Sequence, residues 1–295
     1  MPGLNHTRAG LFDWINNTLL LFVALLCIFP FLHIAAVSLS DGVQVSAGRV
    51  LIVPDELNLE SYRYILSSPR LNVLQGLLNS LSYTLVGTTV SVAVTFMTAY
   101  ALSRKKLRGR HVIMMIFLFT YVFEAGIIPN YIVWSKLGLV NNFWVMVLPT
   151  AVHTFFLIVT KTYLDGLPFE LEEAATIDGA HDLRIMWNVF RPLSAPVLAT
   201  ITVFYAVTIW NQFLIPLIYL QDNKLHPIQL VLYNLIIKSS TTATNLENIR
   251  ANGVMLTPRT LQAAAIITAV FPILFIYPFA QKYFTKGFLV GSIKG

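Results

Sequence analysis

Two ionisable side chains, Glu124 and His153, stand within long apolar stretches of this 295-residue sequence. A charge inside such a stretch is costly in a bilayer, so these groups often mark proton relays or solute sites. Together, the carboxylate and the imidazole could pass protons along a pathway, which is the chemistry of a gradient-driven transporter. Alternatively, each could hydrogen-bond a neighbouring helix, or Glu124 could lie in the outer headgroup region.

Amide and aromatic side chains accompany these two groups along the apolar stretches. Asn130 and Tyr131 follow Pro129, which predicts a broken or kinked helix after Glu124. If these groups face a common cavity, they would hydrogen-bond a hydroxyl-rich solute and stack on its sugar rings. Otherwise they satisfy one another between helices. The candidate pathway residues are Glu124, Asn130, Tyr131, His153, Tyr205, Trp210, Asn211 and Gln212.

The composition indicates an integral membrane protein. Hydrophobic residues make up 56% of the chain and charged residues only 12%, whereas a soluble domain has about 25% charged residues. The net charge of +6 favours loops that face anionic lipid over a nucleic-acid partner. Cys27 is the one cysteine, which excludes a disulfide within the chain and argues against a metal site.

Six stretches are long and apolar enough to cross a bilayer, since a helical span needs about 20 residues. They predict an all-α membrane protein with a single transmembrane domain over 1–295. The spans are expected at roughly 14–38, 77–102, 112–133, 143–161, 197–220 and 261–283.

The short loop 104–110 decides the predicted orientation. It carries five cations close to two span ends, and short loops rich in lysine and arginine stay in the cytoplasm. Both termini are therefore expected in the cytoplasm, together with the loop 162–196 and the tail 284–295. The segments that face outward are 39–76, 134–142 and 221–260.

The cytoplasmic loop 162–196 has a pattern of its own. A short helix is expected to begin near Pro168, with acidic residues in its first turns, and to stop at Gly179. Asp182 is predicted to cap a second, amphipathic helix that ends at Pro192. The result would be two short helices, joined by a glycine elbow, lying along the membrane.

This loop resembles the Glu-Ala-Ala loop of permease subunits from binding-protein-dependent ABC importers. The family pattern is Glu-Ala-Ala, three residues, Gly, nine residues, then Ile-x-Leu-Pro. Val189 stands here in place of the usual Ile, and Arg191 in place of the usual Leu. The resemblance implies a type I importer permease fold with six transmembrane helices and a cytoplasmic coupling helix. The coupling residues it implies are Glu173, Ala174, Ala175, Asp178, Gly179 and Pro192.

Two further stretches extend the resemblance to sugar importers of the maltose-permease type. They are Trp210–Leu217, similar to Trp-Asn-x-Phe-x-x-Pro-Leu, and the tail Lys286–Gly295. Relatives of this type carry oligosaccharides and polysaccharide fragments, including pectin-derived uronides and alginate. No residue selects among these solutes.

The sequence contains no Gly-x-x-x-x-Gly-Lys-Ser/Thr motif and no hydrolase signature, so no enzyme activity and no cofactor are expected in this chain. The resemblance places ATP and Mg²⁺ on two partner ATPase subunits. It also implies a second six-span permease, preferably a different chain, and a periplasmic or surface-tethered solute-binding protein. The setting would be the bacterial inner membrane.

The alternative function that the residues alone indicate is a proton-coupled secondary transporter using Glu124 and His153. A membrane-embedded enzyme or assembly factor is a weaker rival, because no catalytic cluster is present.

Overall fold

The computed structural model describes residues 11–55, 57–168, 170–241, 249–251 and 254–291. Contacts divide the chain into two compact units. One unit contains the chain before Asn72 together with Leu232–Val270, and the other contains Asn72–Val231 together with the chain from Phe271 onward. Residues 292–295 of the predicted tail, and 242–248 with 252–253 of the predicted outer segment 221–260, lie outside the described residues.

The first unit combines helices with one short antiparallel strand pair. A buried apolar cluster that includes Val37, Val45 and Ala263 forms its core. Asp41 caps the second helix, because its carboxylate accepts a hydrogen bond from the Val43 N–H at 2.7 Å. The elements that begin here are α1 (Leu11–Ser38), α2 (Gly42–Ser46), α3 (Glu60–Ser67), β1 (Ile249–Ala251), β2 (Val254–Leu256) and α14 (Pro258–Gly291).

The helix α1 is a membrane-length apolar rod. Its 28 residues make it about 42 Å long, more than the roughly 30 Å hydrocarbon core of a bilayer. Every side chain from 12 to 32 is exposed, and most of them are apolar. A surface of this kind is stable in lipid or against another membrane protein, and not in water.

The second unit is built around the long helix α4 (Val73–Ser103), which packs against the helices α7 (Thr154–Asp165) and α11 (Ala195–Trp210). Its other helices are α5 (Arg110–Val122), α6 (Ile127–Lys136), α7 (Thr154–Asp165), α8 (Glu170–Ile177), α9 (Asp182–Ile185), α10 (Arg191–Leu193), α11 (Ala195–Trp210) and α12 (Leu214–Tyr219). The helix α13 (Ile228–Thr241) begins in this unit, and its residues from Leu232 onward belong to the first unit. Shorter turns are the 3₁₀ segments Phe143–Met146, Leu148–Thr150 and Asn223–Leu225, and the π-helical segment Met186–Phe190.

Small buried side chains let the neighbouring helices approach α4 closely. Gly87, Ser91, Thr95 and Ala99 recur every fourth residue, which places them on one face of the helix. A Cβ atom at Gly87 would lie only 2.9 Å from Cδ1 of Ile209 on α11. Close packing of small residues replaces the hydrophobic effect as the force that holds helices together in lipid.

Among the residues that the structure describes, three helices are long and apolar enough to cross a membrane, and three bent helix pairs raise the number to six if each pair is one span. The all-α membrane class is therefore confirmed, and the number agrees with the six spans predicted. The predicted break after Glu124 is present, because α5 and α6 meet at an angle of 119°. Gly126 has φ +82° at this corner.

Two predicted spans are less regular than uninterrupted helices. The stretch 143–161 begins as two 3₁₀ turns and becomes α-helical only at Thr154, after a bend of 50°. The stretch 197–220 is interrupted between α11, which ends at Trp210, and α12, which begins at Leu214. Pro216 explains the second interruption, since it has no N–H to donate to the carbonyl of Gln212.

Candidate functional site

The helix α8 ends in a glycine-dependent cap, as the sequence predicted. Gly179 has φ +76°, and its N–H donates to the Thr176 carbonyl at 3.0 Å. The Ala180 N–H donates to the Ala175 carbonyl at 2.9 Å. This pair of hydrogen bonds is the Schellman motif, whose left-handed residue is usually glycine. A Cβ atom at Gly179 would touch nothing within 4 Å, so backbone conformation alone requires the glycine.

The start of the following helix differs from the prediction. His181, and not Asp182, is the N-cap, and its Nδ1 accepts a hydrogen bond from the Arg184 N–H at 3.3 Å. The expectation for Asp182 was wrong by one position, because the chain is already helical there. The helical turns continue through Pro192 to Leu193, and the chain then bends by 82° into α11.

One surface of this segment is open and largely apolar. The side chains of Ile177, Leu183 and Trp187 are 86%, 67% and 51% exposed. Glu173 and Ala174 are also exposed. Apolar groups of this size, gathered on one short segment, are typical of a surface that another protein or a membrane covers. We call the region from Glu170 to Pro192 the coupling segment.

The opposite side of the coupling segment is anchored by an ion pair that the sequence did not indicate. Glu172 is only 4% exposed, and its Oε2 accepts a hydrogen bond from Nη1 of Arg104 at 2.8 Å. The Lys106 ammonium lies 3.5 Å from the other carboxylate oxygen, on a side chain that is 69% exposed. Glu172 therefore joins α8 to the end of α4 and to the basic loop that follows α4.

The Arg104 guanidinium is held on several sides. It lies 4.2 Å above the ring of Phe190 and 4.8 Å from the ring of Tyr100, positions that favour a cation. It also donates to Oγ of Ser103. Because Phe190 belongs to the π-helical turn, one arginine connects α4, α8 and that turn. We call Arg104 and Glu172 the anchor pair.

The candidate pathway residues fall into two groups, and the first is buried. Tyr205 is 1% exposed, and its hydroxyl pairs with Thr95 at 2.7 Å and accepts the His153 N–H at 2.9 Å. Trp210 and Gln212 are 5% and 8% exposed. Among the described residues, the Trp210 Nε1 and the Gln212 Oε1 have no hydrogen-bond partner.

The second group lies on the surface of the chain. Glu124, Asn130, His153 and Asn211 are exposed, and Tyr131 is half-buried. The His153 ring packs 4.8 Å from Phe156 and 6.1 Å from Tyr121. Tyr131 stacks on Tyr219 at 5.6 Å, and the Asn211 amide donates to the Val207 carbonyl at 2.9 Å. No hydrogen bond joins Glu124 to His153 within the described part of the chain. Contact of these side chains with a solute stays a prediction.

The bent apolar helices define a multi-pass membrane protein, with an anchored and partly open segment between α7 and α11. Among the described residues, no group of three or more His, Cys, Asp or Glu side chains could hold a metal ion. The chain belongs to the family described as binding-protein-dependent transport system inner membrane component, whose model matches residues 70–290. The predicted family is thereby confirmed.

Two relatives match almost the whole chain. It is 39% identical over 285 residues to the polygalacturonan/rhamnogalacturonan transport system permease protein YtcP of Bacillus subtilis, covering 97% of this chain and 99% of that protein. It is also 39% identical to protein LplC of Bacillus subtilis over 293 residues, covering 99% of this chain and 98% of that protein.

A solved structure extends the likeness to three dimensions. It is the crystal structure of a bacterial ABC transporter involved in the import of the acidic polysaccharide alginate. The two chains share a TM-score of 0.85 and 30% sequence identity, over 96% of this chain and 100% of the other. The chain is therefore an inner-membrane ABC transport permease, a non-enzymatic component of a multi-subunit system.

Proposed function

We propose that this chain is the transmembrane subunit of an ATP-driven importer for oligosaccharides or polysaccharide fragments. With a second permease subunit, preferably a different chain, it forms the translocation pathway. A solute-binding protein delivers the solute, and two ATPase subunits hold the ATP and Mg²⁺. The names of the relatives support the class of solute, since they include a polygalacturonan/rhamnogalacturonan permease and an alginate importer.

The shape of the coupling segment is the observation that carries this proposal. Its anchored side is fixed to α4 through the anchor pair, while its other side leaves Ile177, Leu183 and Glu173 open. The open side docks in an ATPase cleft. There, Glu173 pairs with a cation and the small Ala174 permits close approach of the backbone. This docking places the basic loop and both termini in the cytoplasm, in agreement with the loop charges.

The anchor pair turns this docking into movement of a span. When ATP closes the ATPase dimer, α8 moves with its cleft, and the ion pair carries the end of α4 along. The 31 residues of α4 extend about 46 Å, so a shift at one end reaches the opposite face of the membrane. The permease then has two states, and their equilibrium is shifted by ATP on the cytoplasmic side and by the loaded binding protein on the outer side.

The relatives favour an anionic, uronate-containing solute. The sequence has no Lys or Arg well inside any predicted span, so a carboxylate on the sugar must be met by other donors. His153 is the candidate in this chain, because it is exposed and lies at the start of α7. The amide of Asn211 and the ring of Tyr131 are further candidates for hydroxyl groups and sugar rings.

The test is ATP-dependent uptake by the assembled transporter in proteoliposomes, with Ile177→Asp as the diagnostic variant. The variant should stay in the membrane but lose the ATPase subunits during purification in mild detergent. Leu57→Asp is the matched control, because Leu57 is 81% exposed and lies outside the coupling segment. If Ile177→Asp retained its ATPase and transported normally, the docking site would be wrong.

Energy coupling is tested in the same vesicles. Uptake should stop without ATP and should persist when a proton conductor collapses the gradient. Uptake that needs the gradient and not ATP would favour the proton relay through Glu124 and His153 instead.

A further inference from the structure

A cavity of 540 Å³ opens between the end of α4, the start of α5 and the end of α7, beside the anchor pair. Cations outnumber carboxylates in its lining. The charged and titratable residues that line it are Arg104, Lys105, Arg110, His111, Lys161, Asp165 and Glu172.

Both carboxylates in this lining are already paired. Glu172 binds Arg104, and Asp165 binds the Lys161 ammonium four residues before it. For Arg110, no carboxylate lies within ion-pair distance among the described residues. The excess positive charge therefore stands at the Arg110 end of the cavity. The helix α5 also begins at Arg110, so the positive end of its dipole adds to this charge.

The rest of the cavity wall is apolar. Met114 and Leu118 follow Arg110 at intervals of four residues on α5, which places all three on one stripe of the helix. Ile158 on α7 faces the same cavity. The stripe changes from a guanidinium to hydrocarbon over eight residues, or about 12 Å. A soluble phosphate needs only the charged end, whereas a lipid matches both ends.

We propose that this cavity binds an anionic phospholipid. The phosphate lies against Arg110 and the imidazole of His111, and one acyl chain follows Met114, Leu118 and Ile158. Basic pockets between membrane helices are suited to phosphorylated headgroups. The bound lipid would fill the space beside α5, none of whose side chains is buried by the rest of the chain.

The test measures lipid retained by the assembled transporter after purification from nanodiscs that contain phosphatidylglycerol and phosphatidylcholine. Native mass spectrometry should show bound phosphatidylglycerol and little phosphatidylcholine. Arg110→Gln should reduce phosphatidylglycerol retention about fivefold, the usual effect of one cation near an anionic headgroup. Arg108→Gln is the matched control, because Arg108 is an exposed cation of the same loop that does not line the cavity.

Three outcomes would overturn the proposal. An equal loss in Arg108→Gln would show general attraction to anionic lipid, and unchanged retention in Arg110→Gln would show that the cavity is not the site. Displacement of the lipid by inorganic phosphate at an equal concentration would show that the acyl chain contributes nothing. Because lipid retention needs neither ATP nor solute, these results stand apart from the test of the transport function.

Discussion

Replacing Glu172 by glutamine should release the coupling segment from α4. The side chain of Glu172 is 5% exposed and that of Arg104 is 14% exposed, so the substitution leaves a guanidinium almost enclosed without its counter-charge. Shape is conserved, since glutamine is nearly isosteric with glutamate. The change therefore isolates the charge from the packing.

The magnitude follows from the burial of the pair. Removing one partner of a buried ion pair costs about 3–5 kcal/mol. The lower end applies here, because Arg104 keeps its contacts with the rings of Phe190 and Tyr100. A cost of about 3 kcal/mol is on the order of a hundredfold in the equilibrium between docked and undocked α8. Lys106 is 69% exposed, so Lys106→Met should cost less than about 1 kcal/mol.

Hydrogen–deuterium exchange of the peptide amides of α8 reports this equilibrium, because a helix of eight residues is not stable once it is undocked. In the purified transporter, Glu172→Gln should speed exchange across Glu170–Ile177 about a hundredfold. Lys106 is the weaker partner of the Glu172 carboxylate. Lys106→Met should therefore leave the exchange rate of the α8 amides within about fivefold of the wild-type rate. Arg104→Met combined with Glu172→Gln should cost less than the two single changes added together, because the pair acts as one unit.

Two results would refute this account of the anchor pair. Equal exchange in Glu172→Gln and Lys106→Met would show that burial of the Arg104 contact adds no stability. Additive costs in the double variant would show that Arg104 and Glu172 stabilise the fold through separate contacts.

The remaining predictions concern the glycine elbow and the buried tyrosine. Gly179→Val should lower the amount of solute transported per ATP without changing the amount of protein in the membrane, since a β-branched residue is strained at φ +76°. Gly179→Asn should transport more solute per ATP than Gly179→Val. A normal ratio of solute to ATP in Gly179→Val would contradict the role of the glycine elbow. Tyr205→Phe should cost about 1–3 kcal/mol in stability, because Thr95 and the His153 N–H lose their partner, and should lower the unfolding temperature in detergent with KM unchanged. A raised KM at unchanged stability would instead place Tyr205 in contact with solute.

Features that depend on local backbone chemistry were predictable from the sequence. Gly179 stops α8 because the cap needs a left-handed residue, and that requirement lies within a few positions of the glycine. The corner between α5 and α6 contains Glu124 and precedes Pro129, as expected from proline in a span. The apolar lengths of α1 and α4 likewise come from composition alone.

Features that depend on distant partners were not predictable in the same way. Glu172 and Glu173 are adjacent acids in the first turn of α8, yet one is buried and the other exposed. What separates them is Arg104, 68 residues away in sequence, and no local pattern encodes that distance. The type of Tyr205 left two roles open, contact with a solute or a hydrogen bond between helices, and in the structure its hydroxyl pairs with Thr95 and accepts the backbone N–H of His153. Polarity shows that a partner is needed, and only packing shows which one.

The anchor pair also limits how permeases of this kind can be recombined. A chimera that receives this chain's α8 without the residue at position 104 would carry a buried carboxylate with no guanidinium to neutralise it. The reverse chimera, which receives the end of α4 and its basic loop but not α8, would leave the Arg104 guanidinium without its carboxylate partner. The transferable unit is therefore two sequence pieces, the end of α4 with its basic loop and the coupling segment, exchanged together.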